Sequence, residues 1–200
     1  MKKPIRCLGL IVVVGMVLTV LQMGSSAWAG GQGHQQPKLK VGMLFTLEGV
    51  DAAGASHEEN FWVAGRAFLP FTEGRHFQVM EHFGDDDVGM WIGKWDRQGN
   101  YHFYSSGSEI TTFLNGPVGT TFQYGDIESE IVSVGETVTV PAGTFYDCVQ
   151  VENHDIDGSP PWFEWWKPGF FMVKWTDWWT PDPEDAPVEW ELVSVERIRP

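Results

Sequence analysis

The stretches GETVTVPAGTFYDCVQV, residues 135–151, and WFEWWKPGFFMVKW, residues 162–175, decide the fold of this chain. β-Branched residues fill positions 137–140, and such residues favour a pleated, half-buried strand. Pro141 presets φ for the first position of a turn, and Gly143 can take the positive φ that closes a three-residue hairpin loop with a bulge. The two stretches therefore predict two β-hairpins joined by a polar loop.

Turn signals recur about every 8 to 15 residues from Trp62 onward, with β-branched and aromatic runs between them. They lie at residues 72–74, 83–87, 96–100, 115–117, 124–126, 134–135, 141–143, 157–161 and 168–169. No window of about ten residues after Trp62 keeps a helical period. The pattern predicts an all-β fold, a single-domain curved antiparallel sheet or half-barrel with little helix.

The N-terminal part of this sheet contains some segments that clearly predict strands and one segment whose structure stays ambiguous. Residues 41–50 predict a first strand, and residues 90–95 and 101–105 predict a hairpin around the turn at residues 96–100. Residues 51–60 are rich in alanine and glutamate and have no strong period. Both a short helix and a structured loop remain open for that segment.

Several phrases of the chain occur in the same order in a known group of proteins. They are FLPFTEGRHF at residues 68–77, GTTF at 119–122, VPAGTF at 140–145, WKPGFFMVK at 166–174 and ELVS at 191–194. In this order they resemble the exported bacterial proteins and lipoproteins labelled TapB-like, whose function is largely uncharacterised. The resemblance covers roughly residues 65–198 and departs from the family at Phe171, which replaces a glycine. It implies a strongly curved antiparallel sheet, distantly similar to the LolA/LolB lipoprotein carriers, and no catalytic residues.

The first 29 residues have the pattern of an export signal. Two lysines and Arg6 form a basic head, residues 8–21 form an apolar run, and the sequence Ala-Trp-Ala at residues 27–29 suits a signal peptidase. The apolar run is shorter than the roughly 20 residues that a membrane-spanning helix needs. We therefore expect a signal peptide over residues 1–29, cleaved after Ala29, and a periplasmic or secreted product.

Removal of that segment leaves a strongly acidic chain. The formal charge changes from −14 to −17, because residues 1–29 contain three of the basic residues and no acidic one. This charge argues against nucleic acid and anionic membrane surfaces as partners. We also expect no transmembrane segment after cleavage of the signal. We expect a flexible mature N-terminus over residues 30–40 and an antiparallel β domain over residues 41–200. Cys148, then the only cysteine, is a small buried side chain, a reactive thiol or one half of an intermolecular bridge.

A dense aromatic cluster is the one unusual feature, with nine aromatic residues in the 18 positions 162–179. Successive side chains of a strand point to opposite faces, so one buried face cannot hold both Trp165 and Trp166. The second face is either covered by residues 177–187 or forms a surface for a ligand or partner. The candidate ligand-binding residues are Trp162, Trp165, Trp166, Phe170, Phe171, Trp175, Trp178 and Trp179.

No residue pattern indicates catalysis or metal binding. The six histidines lie at positions 34, 57, 76, 82, 102 and 154 without a known ligand spacing. A cross-strand cluster of His76, His82 and His102 stays geometrically open. The acidic runs at residues 85–87 and 154–158 lack the spacing of an EF-hand and are typical of solvated turns. The sequence therefore predicts no catalytic residues, no metal and no cofactor.

These observations favour an exported, non-enzymatic binding protein. Its aromatic-rich sheet face or groove would hold an apolar or acyl-bearing small molecule or a protein partner. One alternative is a carbohydrate-binding module, in which exposed tryptophan rings form a platform for sugars. A second alternative is a hydrolase with paired carboxylates, for which no local spacing rule exists. Coplanar exposed rings would favour the carbohydrate-binding module, and an aromatic groove without acidic residues would favour a lipid-binding protein. Two carboxylates that converge in a cleft would favour the hydrolase.

Overall fold

The fold is all-β, as the turn spacing predicts. The computed structural model describes residues 38–51, 53–68, 76–84, 88–105, 108–156, 158–177 and 188–198, and these contain no helix. The strands are β1 (Met43–Val50), β2 (Ser56–Phe68), β3 (His76–Gly84), β4 (Val88–Trp95), β5 (Tyr101–Ser105), β6 (Ser108–Thr112), β7 (Thr121–Tyr124), β8 (Ile127–Val140), β9 (Gly143–Asp155), β10 (Trp162–Trp166), β11 (Met172–Asp177) and β12 (Val188–Arg197).

All twelve strands form a single antiparallel sheet in the order β6-β5-β4-β3-β2-β1-β12-β11-β10-β9-β8-β7. The first and last long strands, β1 and β12, pair with each other and join the two halves of the sheet. Contacts between distant strands show that the sheet curves strongly. The Trp95 indole on β4 donates to the Phe170 carbonyl oxygen beyond β10, at 3.2 Å. Tyr101 on β5 and Trp166 on β10 also meet, with ring centroids 5.8 Å apart. The curved antiparallel sheet of the prediction is thus confirmed, and it is nearly closed.

The concave face of the sheet carries the hydrophobic core. The larger of two clusters of buried side chains consists of Phe45, Leu47, Phe61, Val63, Met80, Val138, Val140, Cys148, Phe170, Phe171, Val173, Val188, Trp190 and Leu192. The smaller cluster consists of Tyr101, Leu114, Ile131, Val149 and Val151. Trp166 packs against this smaller cluster and also contacts Phe171 in the larger one, with ring centroids 6.2 Å apart. The two clusters therefore meet at β10.

The hairpin between β8 and β9 differs from the prediction in the length of its loop. Val140 and Gly143 pair across the two strands, so the turn contains only Pro141 and Ala142. Gly143 has φ 137°, the positive value that was expected. The Ala142 N–H also donates to the Leu192 carbonyl oxygen at 2.9 Å, which ties the turn to β12. The expectation of a three-residue loop is wrong, because Gly143 belongs to the strand ladder.

In the ambiguous segment 51–60, the described residues form a turn followed by the beginning of a strand. Strand β2 begins at Ser56, and the connection before it is a tight turn organised by Asp51. The backbone N–H of Asp51 donates to the Ala55 carbonyl oxygen at 3.0 Å, and its side chain accepts from the Ala55 N–H at 2.8 Å. Pairing with β1 thus overrides the local preference of alanine and glutamate for helix.

The hairpin of β4 and β5 matches the prediction. The turn at residues 96–100 closes through a hydrogen bond from the Asp96 N–H to the Asn100 carbonyl oxygen, at 2.9 Å. The Asp96 carboxylate accepts from the backbone N–H groups of Gln98 and Asn100, at 2.8 Å each. Aspartate favours turns because its side chain forms these local bonds.

Across the described ranges, no helix is both long and apolar enough to cross a bilayer.

Candidate functional site

The side chains of β10 divide between the two faces of the sheet by simple alternation. Trp162, Glu164 and Trp166 share one face, and Phe163 and Trp165 share the other. The first face is the concave one, because Trp166 packs against the inner cluster of core residues. One short strand therefore presents two indoles and a carboxylate to the interior of the sheet.

A cavity of about 290 Å³ lies on this concave face. Trp162, Glu164, Met172 and Trp175 line it, and all four side chains are half-buried. Glu164 and Trp175 are direct cross-strand partners on β10 and β11. Small-molecule sites have volumes of about 300 to 1,000 Å³, so this cavity suits a small ligand or one end of a larger ligand.

The Trp175 wall of the cavity is held in place by the core behind it. Its indole stacks on Trp190, with centroids 5.0 Å apart and an angle of 19° between the ring planes. Its ring also meets Phe61 edge to face, at 6.0 Å and 84°. Trp190 lies over Gly49 on β1, where a β-carbon would come within 2.7 Å of the indole. The absence of a side chain at Gly49 thus allows the stack that fixes the Trp175 ring.

The carboxylate of the cavity is oriented by its own strand. The Trp166 indole N–H donates to Glu164 Oε2 at 2.7 Å. Trp166 is itself wedged against Trp95 and Tyr101, with centroids 6.2 Å and 5.8 Å away. A rigid ring thus holds a negative charge beside the two cavity indoles.

The other predicted ligand-binding residues lie elsewhere in the fold. Phe170 and Phe171 are core residues, only 2% and 4% exposed, and both pack on Phe45 at centroid distances of 5.3 Å and 4.4 Å. Trp165 points to the other face of β10, where it is half-buried against part of the larger core cluster and Lys174 Nζ is 5.3 Å from its ring centroid. Its indole N–H donates to Glu136 Oε2 at 2.9 Å. Trp178 and Trp179 lie outside the described residues, as does all but the first residue of segment 177–187, the alternative cover for the second face.

The sequence interpretation missed two of the four residues that line the cavity, Glu164 and Met172. A signal for Glu164 was present, because it lies two residues after Trp162 and two before Trp166 on a strand. Met172 had no such signal. A bulge between Trp165 and Trp166 shifts the pairing of β10 with β11 and sets Met172 opposite Trp166.

The four histidines whose side chains are described each lie beside a carboxylate. Nε2 of each lies close to an acid in the pairs His57–Asp51, His82–Glu59, His102–Asp96 and His154–Glu152. His82 and His102 thus have separate partners, and the side chain of His76 lies outside the described part of the chain. No group of three or more histidine, cysteine, aspartate or glutamate side chains that could hold a metal occurs among the described residues.

Two ionisable groups outside the cavity have clearly shifted pKa values. Burial alone would raise the pKa of Asp96, but hydrogen bonds from His102, Asn100 and Gln98 outweigh it and lower the pKa to about 2. Burial raises the pKa of the Cys148 thiol to about 11. This thiol is fully buried, 3.6 Å from the Phe145 carbonyl oxygen, in agreement with a packing role.

Comparisons with known proteins place the fold but no sequence family. No protein-family model matches the chain, and no curated protein matches it. The chain is similar in structure to a Bacteroides fragilis protein described as exported, with a YmcC-like fold, at a TM-score of 0.53 and 17% identity. That match covers 80% of this chain and 98% of the other. A Parabacteroides distasonis protein described as a lipoprotein has a TM-score of 0.47 and 14% identity, over 80% of this chain and 97% of its own. At these identities the similarity concerns the fold, which is YmcC-like.

Proposed function

We propose that this chain is an exported, non-enzymatic binding protein that holds a small apolar ligand in the cavity between Trp162 and Trp175. The observation that carries the proposal is the preformed indole wall, in which Trp175 is stacked on the buried Trp190 at 5.0 Å. Such a wall offers a large apolar surface at little cost in side-chain entropy when a ligand binds. The apolar lining with one fixed polar group is typical of small-molecule sites.

Export is part of this proposal. The signal pattern of residues 1–29 supports a periplasmic or secreted location. The resemblance to TapB-like proteins, and the description of the Bacteroides fragilis protein as exported, point in the same direction. An extracytoplasmic carrier or sensor of small molecules is compatible with this location.

At this cavity the geometry favours this function over the two alternatives. Glu164 is the one carboxylate among the described residues that line the cavity, whereas a glycoside hydrolase uses two, about 5 to 9.5 Å apart. On the outer face, the rings of Phe163 and Trp165 are inclined by 44° and do not form a flat platform for a sugar.

The test is a titration of the purified protein with octan-1-ol, followed by isothermal calorimetry and tryptophan fluorescence. We expect saturable binding and a change in emission as water leaves the indoles. Trp162→Ala should weaken binding at least about tenfold, since it removes one wall. Trp165→Ala, on the outer face of the same strand, is the matched control and should bind normally. Equal binding by both variants, or a response to soluble oligosaccharides alone, would overturn the proposal.

A further inference from the structure

We propose that the ligand of this cavity is a neutral molecule with an apolar chain and a carbonyl oxygen, and that the side-chain amide of Asn153 donates a hydrogen bond to this oxygen. The inference rests on the proposed function and names the class of ligand that the same site takes. Its basis is a buried amide beside a wall of the cavity. Asn153 is only 4% exposed, and no described residue accepts a hydrogen bond from its Nδ2 atom.

Asn153 lies next to the cavity wall that Trp162 forms. The two residues are direct cross-strand partners on β9 and β10, so their side chains share the concave face of the sheet. The β-carbons of such partners are about 4.5 to 5.5 Å apart. On the other side of β9, the direct partner of Asn153 is Ser129 on β8. The amide is therefore adjacent to the space between Trp162 and Trp175 in which we place the apolar ligand.

The orientation of the amide leaves its donor group for a ligand. The Ser129 hydroxyl donates to Asn153 Oδ1 at 2.6 Å, which turns the acceptor end of the amide towards β8. The two ends of a planar amide diverge, so Nδ2 points away from Ser129. Because Nδ2 is fully covered in the unliganded protein, the half-buried Trp162 indole has to turn aside before a ligand oxygen reaches it. A carbonyl group suits this position because it accepts hydrogen bonds and donates none.

A second asparagine shows how the chain satisfies such an amide when it serves the fold alone. Asn60 on β2 also receives a cross-strand hydroxyl, since Thr46 Oγ1 donates to its Oδ1 at 2.9 Å. Its Nδ2 donates to Glu58 Oε1 at 2.7 Å, so both ends of this amide are bonded. Asn153 is more deeply buried than Asn60, yet among the described residues it has only the first of these two bonds. A buried donor without an acceptor lowers stability, and proteins accept such a cost mainly at functional sites.

The apolar chain of the ligand lies on the Trp162 side of the amide. On the Ser129 side, a second cavity of about 390 Å³ is lined by the polar residues Thr121, Glu128, Ser129, Glu130 and His154. An alkyl chain gains little from such walls, whereas Trp162, Met172 and Trp175 offer it apolar surface. The formal charge of −14 for the whole chain lowers the local concentration of anions, which favours a neutral carbonyl over a carboxylate.

The test compares heptan-2-one with 2-methylhept-1-ene, in which a CH2 group replaces the carbonyl oxygen. Both are titrated by isothermal calorimetry, directly and in competition with octan-1-ol. We expect the ketone to bind at least as tightly as the alkene, although the ketone loses more hydration when it enters the site. Tighter binding of the alkene, with octan-1-ol still bound, would overturn this inference and leave the proposed function standing. No binding of any of the three compounds would overturn both.

Two variants test the origin of the preference. Asn153→Leu keeps a side chain of similar size and removes the donor, so the ketone should weaken at least about tenfold relative to the alkene. Asn60→Leu is the matched control, because it removes an amide that is bonded at both ends, and the ratio of the two affinities should stay within about threefold of the natural one. An unchanged ratio in Asn153→Leu, or an equal change in Asn60→Leu, would contradict the role of Asn153.

A double variant and a spectroscopic signal keep the test independent of folding defects. Ser129→Ala with Asn153→Leu replaces both members of the buried pair by apolar groups, so no hydroxyl is left unpaired and the same loss of ketone binding should appear. The carbonyl stretching band of bound heptan-2-one should lie at a lower frequency in the natural protein than in the double variant, because a hydrogen bond weakens the C=O bond. Equal frequencies would overturn the inference.

Discussion

Replacement of Gly49 by alanine should disturb the cavity, although Gly49 is not among the residues that line it. A β-carbon at this position would lie 2.7 Å from Trp190 Cδ2 and 2.8 Å from Val188 Cγ1. Real β-carbons essentially never come this close to another heavy atom, so one of the neighbours must shift. Both neighbours are buried, at 1% and 2% exposure, and have little room to move. The indole that supports Trp175 would therefore be displaced from its stack.

The magnitude follows from two opposing effects. Overpacking of a core costs about 1 to 3 kcal/mol. Alanine in place of glycine also stabilises the folded protein by about 0.4 to 1 kcal/mol, because it lowers the conformational entropy of the unfolded chain. The net expectation for Gly49→Ala is a loss of up to about 2.6 kcal/mol, and each kcal/mol lowers the melting temperature by about 2 to 4 °C for a domain of this size.

The matched control is Gly65→Ala on the neighbouring strand β2. A β-carbon there meets nothing within 4 Å, so this variant should be as stable as the natural chain or more stable. Urea denaturation of the three proteins, followed by circular dichroism, gives the free energies of unfolding. Tryptophan emission should also change in Gly49→Ala only, since the Trp175–Trp190 stack is disturbed. Equal stability of the two variants would refute the close contact between Gly49 and Trp190.

Three further predictions concern single residues outside the cavity. Gly143→Val should cost about 1 to 3 kcal/mol in a denaturant melt, since φ is 137° at this position; no loss would contradict this backbone conformation at Gly143. Cys148 should react with Ellman's reagent near neutral pH only after denaturation, because the thiol is buried and its pKa is raised to about 11; rapid labelling of the folded protein would refute this burial. The lowered pKa of Asp96 stabilises the fold above its ordinary pKa of 3.8, and this contribution is lost as the pH falls towards about 2. Asp96→Asn should therefore reduce the loss of stability in this pH range, and identical acid titrations would contradict the prediction.

The antiparallel fold was predictable because its signals are local. Aspartate in the turn at residues 96–100 and the φ of Gly143 depend on bonds and sterics within a few residues of chain. β-Branched and aromatic runs between such turns leave little choice other than strands. Two local predictions failed: the loop of the β8–β9 hairpin is shorter than expected, and the segment at residues 51–60 contributes a strand through pairing with β1 and β3 rather than through its own composition.

The cavity required the tertiary structure, because its residues are selected by pairing and curvature. Adjacent aromatics made it certain that Trp165 and Trp166 face opposite sides, but only the packing on Tyr101 decides which side is inner. The bulge that brings Met172 opposite Trp166, and the bare backbone of Gly49 beneath Trp190, join residues far apart in the sequence. The sequence by itself determined an aromatic strand pair in an antiparallel sheet. The closure of that sheet decided that two of its indoles and one carboxylate surround a cavity, while Phe170 and Phe171 fill the core.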